Sequence, residues 1–283
     1  MGTPNVRAAL RVPARKLDLA GLDTRRCPVG PHDRKAAEAD LARLAGPLAE
    51  LQQRLYAEGT GSSPRRVLLV LQGMDTSGKG GVISHVAGLV NPQGLRIASF
   101  KKPTKEELRH DFLWRIRNQV PAPGQIGVFD RSHYEDVLVA RVESLVPKSV
   151  WQARYEQINL FEEELDAQGV TIVKCFLHIS PETQEKRLRQ RLKDPARRWK
   201  YNPVDLDARR KWGEYRDAYM EMLRRCDTEV APWYAVPSDR KWYRNWAVAR
   251  LLLETLTALD PRYPKLGFNP KVELTALKAA TPR

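Results

Sequence analysis

Gly73 and Gly78 enclose four residues and Lys79 follows, so the stretch from Val67 to Gly81 fits the spacing G-x-x-x-x-G-K. The backbone N–H groups of such a loop converge on a phosphate, and the lysine adds a point charge. Glycine is needed where the backbone approaches an anion with no Cβ in between. The candidate phosphate-binding residues here are Gly73, Thr76, Ser77, Gly78, Gly80 and Gly81, with Lys79 as the cation. The residue after the lysine is usually Ser or Thr, whose hydroxyl holds magnesium, but here it is Gly80. Asp75 stands in the middle of the loop instead, an acid where phosphate is expected. It would repel the ligand unless a divalent cation lay between them, so Asp75 is read as the replacement metal anchor.

A second acid follows the apolar run Ile126 to Phe129: Asp130, with Arg131 after it. A carboxylate directly behind a buried strand, downstream of a phosphate loop, is where a second magnesium ligand belongs. The third chemical feature is a basic run. Thr183 to Trp212 holds eleven Lys and Arg against four Asp and Glu, and Arg187 and Arg191 lie one helical turn apart. In phosphate-transferring folds an excursion at this point is a lid that carries arginines over the transferring group.

These residues need a scaffold, and the chain alternates the patterns of strand and helix. Ala37, Leu41, Leu44, Leu48, Leu51 and Leu55 recur at helical spacing, predicting an amphipathic helix from Asp33 to Ala57. Strands are expected at Val67 to Leu71, Leu95 to Phe100, Ile126 to Phe129, Val170 to Ile179 and Trp233 to Val236. Thr104 and Glu107 resemble a capping box opening a helix through Trp114 and Arg117. Further helices are expected at Lys148 to Ala167, after Ser180-Pro181, at Ala208 to Cys226 and at Asp239 to Leu259. The aromatic stripe of Trp151, Tyr155 and Phe161 is read as core. Such alternation means an α/β fold, a P-loop kinase-like three-layer sandwich with a parallel five-stranded sheet and a helical lid. Residues 1–64 are expected to form an N-terminal arm and helix, with 1–31, interrupted by Pro4, Pro13, Pro28 and Pro31, an irregular arm lying on the domain or partly disordered. Residues 65–264 form the phosphotransferase domain with a lid at about 183–212, and 265–283 a tail.

Composition narrows the partners. The 283 residues carry a formal net charge of +14, with pI near 9.8 and mean hydropathy of −0.52. That field favours a polyanion. No apolar run approaches the roughly 20 residues of a membrane helix. The start of the chain lacks the apolar core of a secretory signal, and Asp18 and Asp23 speak against a transit peptide, so a cytoplasmic location with no membrane partner is expected. Cys27, Cys175 and Cys226 are too scattered for a disulfide framework or a zinc site.

The segments GMDTSGKGG (73 to 81), KKPTKEELRHDFLWRI (101 to 116), VFDRSHYEDVLVARV (128 to 142) and KRLRQRLKDPARRWK (186 to 200) resemble the polyphosphate kinase 2 family, over roughly Val67 to Pro264. The resemblance implies phosphate transfer from inorganic polyphosphate to nucleotides, with Asp75, Lys79, Asp130 and Arg131 essential and lid arginines on phosphate. Gly80 agrees with the family's loop. The HDFLWR and SHYEDVL wording looks like the subgroup that uses both AMP and ADP, giving ATP, and the resemblance suggests a homodimer or homotetramer. The expected cofactor is Mg²⁺, or Mn²⁺ in its place, on Asp75 and Asp130, while Lys101, Lys102 and the lid offer a cationic track for polyphosphate. Two other classes compete. An ATP-dependent nucleotide kinase of thymidylate-kinase-like fold would share the sheet, loop and lid but leaves the charge unexplained. A basic nucleic-acid-binding P-loop protein would explain the charge, yet no specific nucleic-acid motif is present.

Overall fold

The computed structural model describes residues 5–12 and 17–280. Five parallel strands make the sheet: β1 (Arg66–Gln72), β2 (Leu95–Ser99), β3 (Ile126–Asp130), β4 (Val170–His178) and β5 (Trp233–Pro237), in the order β2-β3-β1-β4-β5. β1 is central and buried from Val67 to Gln72. Because alternate residues of a strand face opposite sides, Leu68 and Val70 pack into one core while Val67, Leu69 and Leu71 pack into the other. The first core is closed by α5 (Glu135–Val142), α6 (Lys148–Ala167) and α9 (Trp212–Arg225). The second is closed by α1 (Val6–Leu10), α2 (Arg34–Gly59), α3 (Lys79–His85) and α10 (Lys241–Leu259). This is the expected three-layer arrangement. The chain leaves β1 toward β2 on one side and reaches β4 on the other, so β1 lies at the switch point where α/β folds bind ligands.

α6 occupies the expected residues, with Trp151, Tyr155, Ile158, Phe161 and Leu165 all buried. Asp33 caps α2 by accepting from the Ala36 N–H at 2.8 Å. Elsewhere the local signals form without the expected element. The capping box is present, with Thr104 N–H donating to Glu107 Oε2 at 2.7 Å and Glu107 N–H to Thr104 Oγ1 at 3.2 Å. It opens only a single 3₁₀ turn, Glu107–Arg109, and α4 (Trp114–Arg117) starts afresh. The segment packs along one edge of the sheet, where Arg115 Nη1 must reach the Lys101 carbonyl at 2.8 Å, and a straight helix is broken to allow it. α7 (Pro181–Lys193) starts at the Ser180 cap, and the lid continues through a 3₁₀ turn, Arg198–Lys200, to α8 (Asp205–Arg210), which is separate from α9.

The described part of the N-terminal arm lies on the domain, one of the two expectations, and adds a short helix to an otherwise irregular path. α1 buries Val6 and Leu10, and Val12 N–H donates to the Trp233 carbonyl at 3.0 Å, covering the free edge of β5. Pro4 and Pro13 lie outside the described residues. In the tail, α11 (Pro270–Ala279) forms with every residue exposed. Among the described residues, no helix is long and apolar enough to cross a membrane.

Candidate active site

The phosphate loop leaves β1 through Gly73 at φ 147°, where a Cβ would meet the Leu177 carbonyl at 2.6 Å. Lys79 folds back over the loop. Its Nζ donates to the Gly73 carbonyl at 2.8 Å and only 8% of the residue is exposed. Burial and the Arg131 charge lower its pKa, against the pull of Asp75, Asp130 and Glu135. Gly80 has open space around the position of a Cβ, so no crowding excludes a side chain there. The hydroxyls nearest to hand, Thr76 Oγ1 and Ser77 Oγ, are buried without a hydrogen-bond partner.

Asp75 projects toward the end of β3. Arg131 Nη2 donates to Asp75 Oδ1 at 2.7 Å. Burial would raise the Asp75 pKa, but Lys79 and Arg131 together hold it below the usual carboxylate range. Arg131 has φ 64°, in the left-handed region, while its N–H still donates to the Leu71 carbonyl at 3.1 Å. The chain thus stays paired with β1 for one residue past Asp130 and then turns sharply. Asp130 pairs in register with Leu71 and with Ser99 of β2. Phe100 N–H donates to the Asp130 carbonyl at 3.0 Å, which leaves Lys101 and Lys102, both exposed, at the rim of the same sheet edge.

The turn after Arg131 is anchored from behind. Ser132 Oγ accepts from Gln72 Nε2 at 3.1 Å, and Tyr134 OH donates to Glu162 Oε1 at 2.7 Å. Lys174 Nζ, fully buried, bonds Glu162 Oε2 at 2.5 Å, Tyr134 OH at 2.7 Å and the Cys226 carbonyl at 2.7 Å. A satisfied buried network of this kind specifies one arrangement of its members, here the one that aims Arg131 at Asp75.

The two lid arginines part company. Arg191 Nη1 contacts the Lys200 carbonyl at 3.0 Å and Asp205 Oδ2 at 3.4 Å, and its charge is among those lowering the Asp75 pKa. Arg187 does not face the phosphate site as expected. Its Nη1 donates to the Thr76 and Ser77 carbonyls at 2.8 and 3.1 Å, and its Nη2 to the Ser238 and Asp239 carbonyls at 2.6 and 3.0 Å. Successive residues turn by about 100°, so positions four apart are offset by about 40° around α7, and Arg187 holds the loop's main chain while Arg191 stays beside it.

Three further residues belong to the site. Glu135, in the first turn of α5, has its pKa raised by burial despite Arg131 and Lys79. Asp205 of α8 is pushed up to about 6 by burial and by Asp75. Arg244 of α10 donates to the Ser77 carbonyl at 3.2 Å. Glu135, five residues past Asp130 at the start of α5, left a legible trace in the sequence; Asp205 and Arg244 are brought in only by tertiary packing.

A metal would suit this donor set. Asp75, Asp130 and Glu135 surround one lysine, yet no group of three or more His, Cys, Asp and Glu among the described residues is placed to hold an ion by itself. Hard carboxylate oxygens that leave most positions to phosphate and water match the way Mg²⁺ is held at phosphoryl-transfer sites.

The family pattern of polyphosphate kinase 2 matches residues 31–264. The chain belongs to the polyphosphate kinase 2 family. The match takes in α2 as well as the stretch from Val67 that carries the motifs. An AMP/ADP-polyphosphate phosphotransferase of Meiothermus ruber is 50% identical over 232 residues, covering 82% of this chain and 85% of that one. An ADP-polyphosphate phosphotransferase of Rhodopseudomonas palustris is 44% identical over 243 residues, 82% and 83% of the two chains. The crystal structure of polyphosphate kinase 2 from Arthrobacter aurescens TC1 superposes with a TM-score of 0.94 at 46% identity, over 97% of each chain.

Proposed function

We propose that this enzyme transfers the terminal phosphate of inorganic polyphosphate to ADP, and also to AMP, so that ATP is formed. The observation that carries the reading is the convergence of Lys79, Asp75, Asp130 and Arg131 at the C-terminal ends of β1 and β3, with Arg191 beside them. Family membership and the relatives' activities agree with it.

Phosphoryl transfer through a loose transition state needs alignment and charge neutralisation more than covalent help. Lys79 and the loop residues Gly73, Thr76, Ser77, Gly78, Gly80 and Gly81 hold a phosphate at the end of β1. Arg131 and Arg191 neutralise the charge that spreads over the equatorial oxygens. An acceptor phosphate is already ionised near neutral pH, so the site needs no strong general base. Asp75 and Asp130 would hold Mg²⁺, or Mn²⁺, and the bound ion would supply positive charge that screens donor and acceptor phosphates from each other. Lys101, Lys102 and the basic lid guide the polyanion, and the enzyme works in the cytoplasm as a homodimer or homotetramer.

Product analysis with each acceptor alone tests the dual specificity. Polyphosphate with AMP as the sole nucleotide should give ADP and then ATP, and a reaction confined to ADP would restrict the enzyme to one acceptor.

A further inference from the structure

Arg187 and Arg244 hold the phosphate loop by its main-chain carbonyls, and neither is accounted for by the chemistry above. Both are buried, at 8% and 3% exposure. Neither forms an ion pair with a carboxylate among the described residues. Their donors go to main-chain carbonyls instead. Arg187 holds Thr76 O and Ser77 O, and Arg244 Nη1 shares Ser77 O while its Nε and Nη2 lie against Asn245 Oδ1 at 3.1 and 2.7 Å. The loop is shaped to admit them. A Cβ on Gly78 would come within 1.7 Å of Arg244 Nη1, and one on Gly81 within 2.6 Å of Arg244 Nη2.

We propose that Arg187 and Arg244 are positioning residues that clamp the Ser77 carbonyl outward, and so aim the Gly78 N–H at the bound phosphate, while the Ser77 N–H stays bonded to the Met74 carbonyl at 3.0 Å. This rests on the reading of the loop as a phosphate site. In a trans peptide the C=O and the following N–H point in opposite directions. Fixing Ser77 O against two guanidinium groups therefore turns the Gly78 N–H the other way, into the loop. Without the clamp, the peptide between Ser77 and Gly78 is free to rotate, because Gly78 at φ 110° tolerates more conformers than other residues. A flipped carbonyl would present a negative dipole to a phosphate. The two guanidinium groups also repel each other in the free protein, with Asp239 offsetting part of this at Arg187, and a polyanion on the inner face of the loop relieves the remainder. The clamp further ties α7, the root of the lid, and the end of β5 to the loop, since Arg187 bridges to Ser238 O and Asp239 O.

The test is tripolyphosphate binding by calorimetry, together with the polyphosphate KM across a salt series, for wild type, Arg187→Gln, Arg244→Gln and Arg191→Gln. Wild-type binding checks the phosphate-loop reading by itself; no binding there would overturn that reading, and the clamp with it. If wild type binds, the clamp predicts affinity lowered tenfold or more in Arg187→Gln and Arg244→Gln. It also predicts an unchanged slope of log KM against log salt, because a residue that does not touch phosphate releases no counterion. Arg191→Gln serves as the direct-contact comparison, with a slope reduced by about one. Wild-type affinity in either clamp variant would overturn the proposal, as would a reduced slope in Arg187→Gln. Arg187→Lys covers the case in which the Gln variant does not fold. It keeps the charge but not the fork, so it should still bind more weakly, and wild-type binding by it would equally sink the clamp.

Discussion

Arg131 reaches from the end of β3 to Asp75 in the loop after β1, a 2.7 Å contact between a left-handed arginine and an acid inside a phosphate loop. It couples the two strand ends that flank the switch point, so the charge presented to a phosphate is set by both together. Arg131 uses only Oδ1 of Asp75, so Oδ2 would remain to hold a cation in the proposed reaction without breaking the pair.

Replacing either member should therefore affect turnover more than folding. Arg131→Ala and Asp75→Asn are each expected to lower kcat by about 100-fold or more, the scale of removing one transition-state charge partner. Melting temperatures should stay close to wild type, because both side chains are partly exposed and an exposed pair contributes little stability. Near-normal kcat in either variant would remove the pair from the mechanism.

Asp205 gives a prediction about pH. Its pKa is raised from 3.8 to about 6 by burial and Asp75, so the folded state favours the protonated acid. The cost to stability is absent below pH about 4, grows as pH rises to about 6 and is constant above that. Asp205→Asn should accordingly melt with wild type near pH 4 and above it at pH 8, as thermal scans across that range would show. A variant less stable at pH 8 would reverse the sign.

The Lys174–Glu162 pair is fully buried and sits behind the turn that carries Arg131. Lys174→Met removes the carboxylate's cationic partner, leaving the buried Glu162 to Tyr134 OH and His133 Nε2, and should cost about 3–5 kcal/mol in chemical denaturation. Adding Glu162→Gln to the same chain should recover much of that loss, and a double variant no better than the single would show that the charges do not act as a pair.

Salt should weaken the enzyme through its donor. With a net charge of +14 and exposed Lys101 and Lys102, the KM for long polyphosphate is expected to rise steeply with ionic strength, with a smaller effect on the nucleotide KM. A polyphosphate KM independent of salt would exclude a cationic track.

The sheet, its strand ends and the loop between β1 and α3 were legible in the sequence because they depend on local pattern: apolar runs that end at Gln72 and Asp130, glycines at fixed spacing, and a lysine. What could not be read depends on packing across the fold. Arg187 and Arg191 look equivalent along the chain, and only the position of α7 under the loop assigns one to the backbone and leaves the other beside Asp75. The Thr104–Glu107 box formed as written, yet the edge of the sheet overrode the helix it announced. The left-handed turn at Arg131 has no glycine to mark it, because a buried network around Tyr134 and Glu162 holds it in place.

The most direct test of the account is ATP formation by the purified protein with Mg²⁺, long-chain polyphosphate and ADP, in parallel with Lys79→Ala. The account predicts ATP from the wild type and almost none from the variant, both chains being folded. A folded wild type that makes no ATP from polyphosphate, but phosphorylates nucleotides from ATP, would contradict it and point to an ATP-dependent kinase.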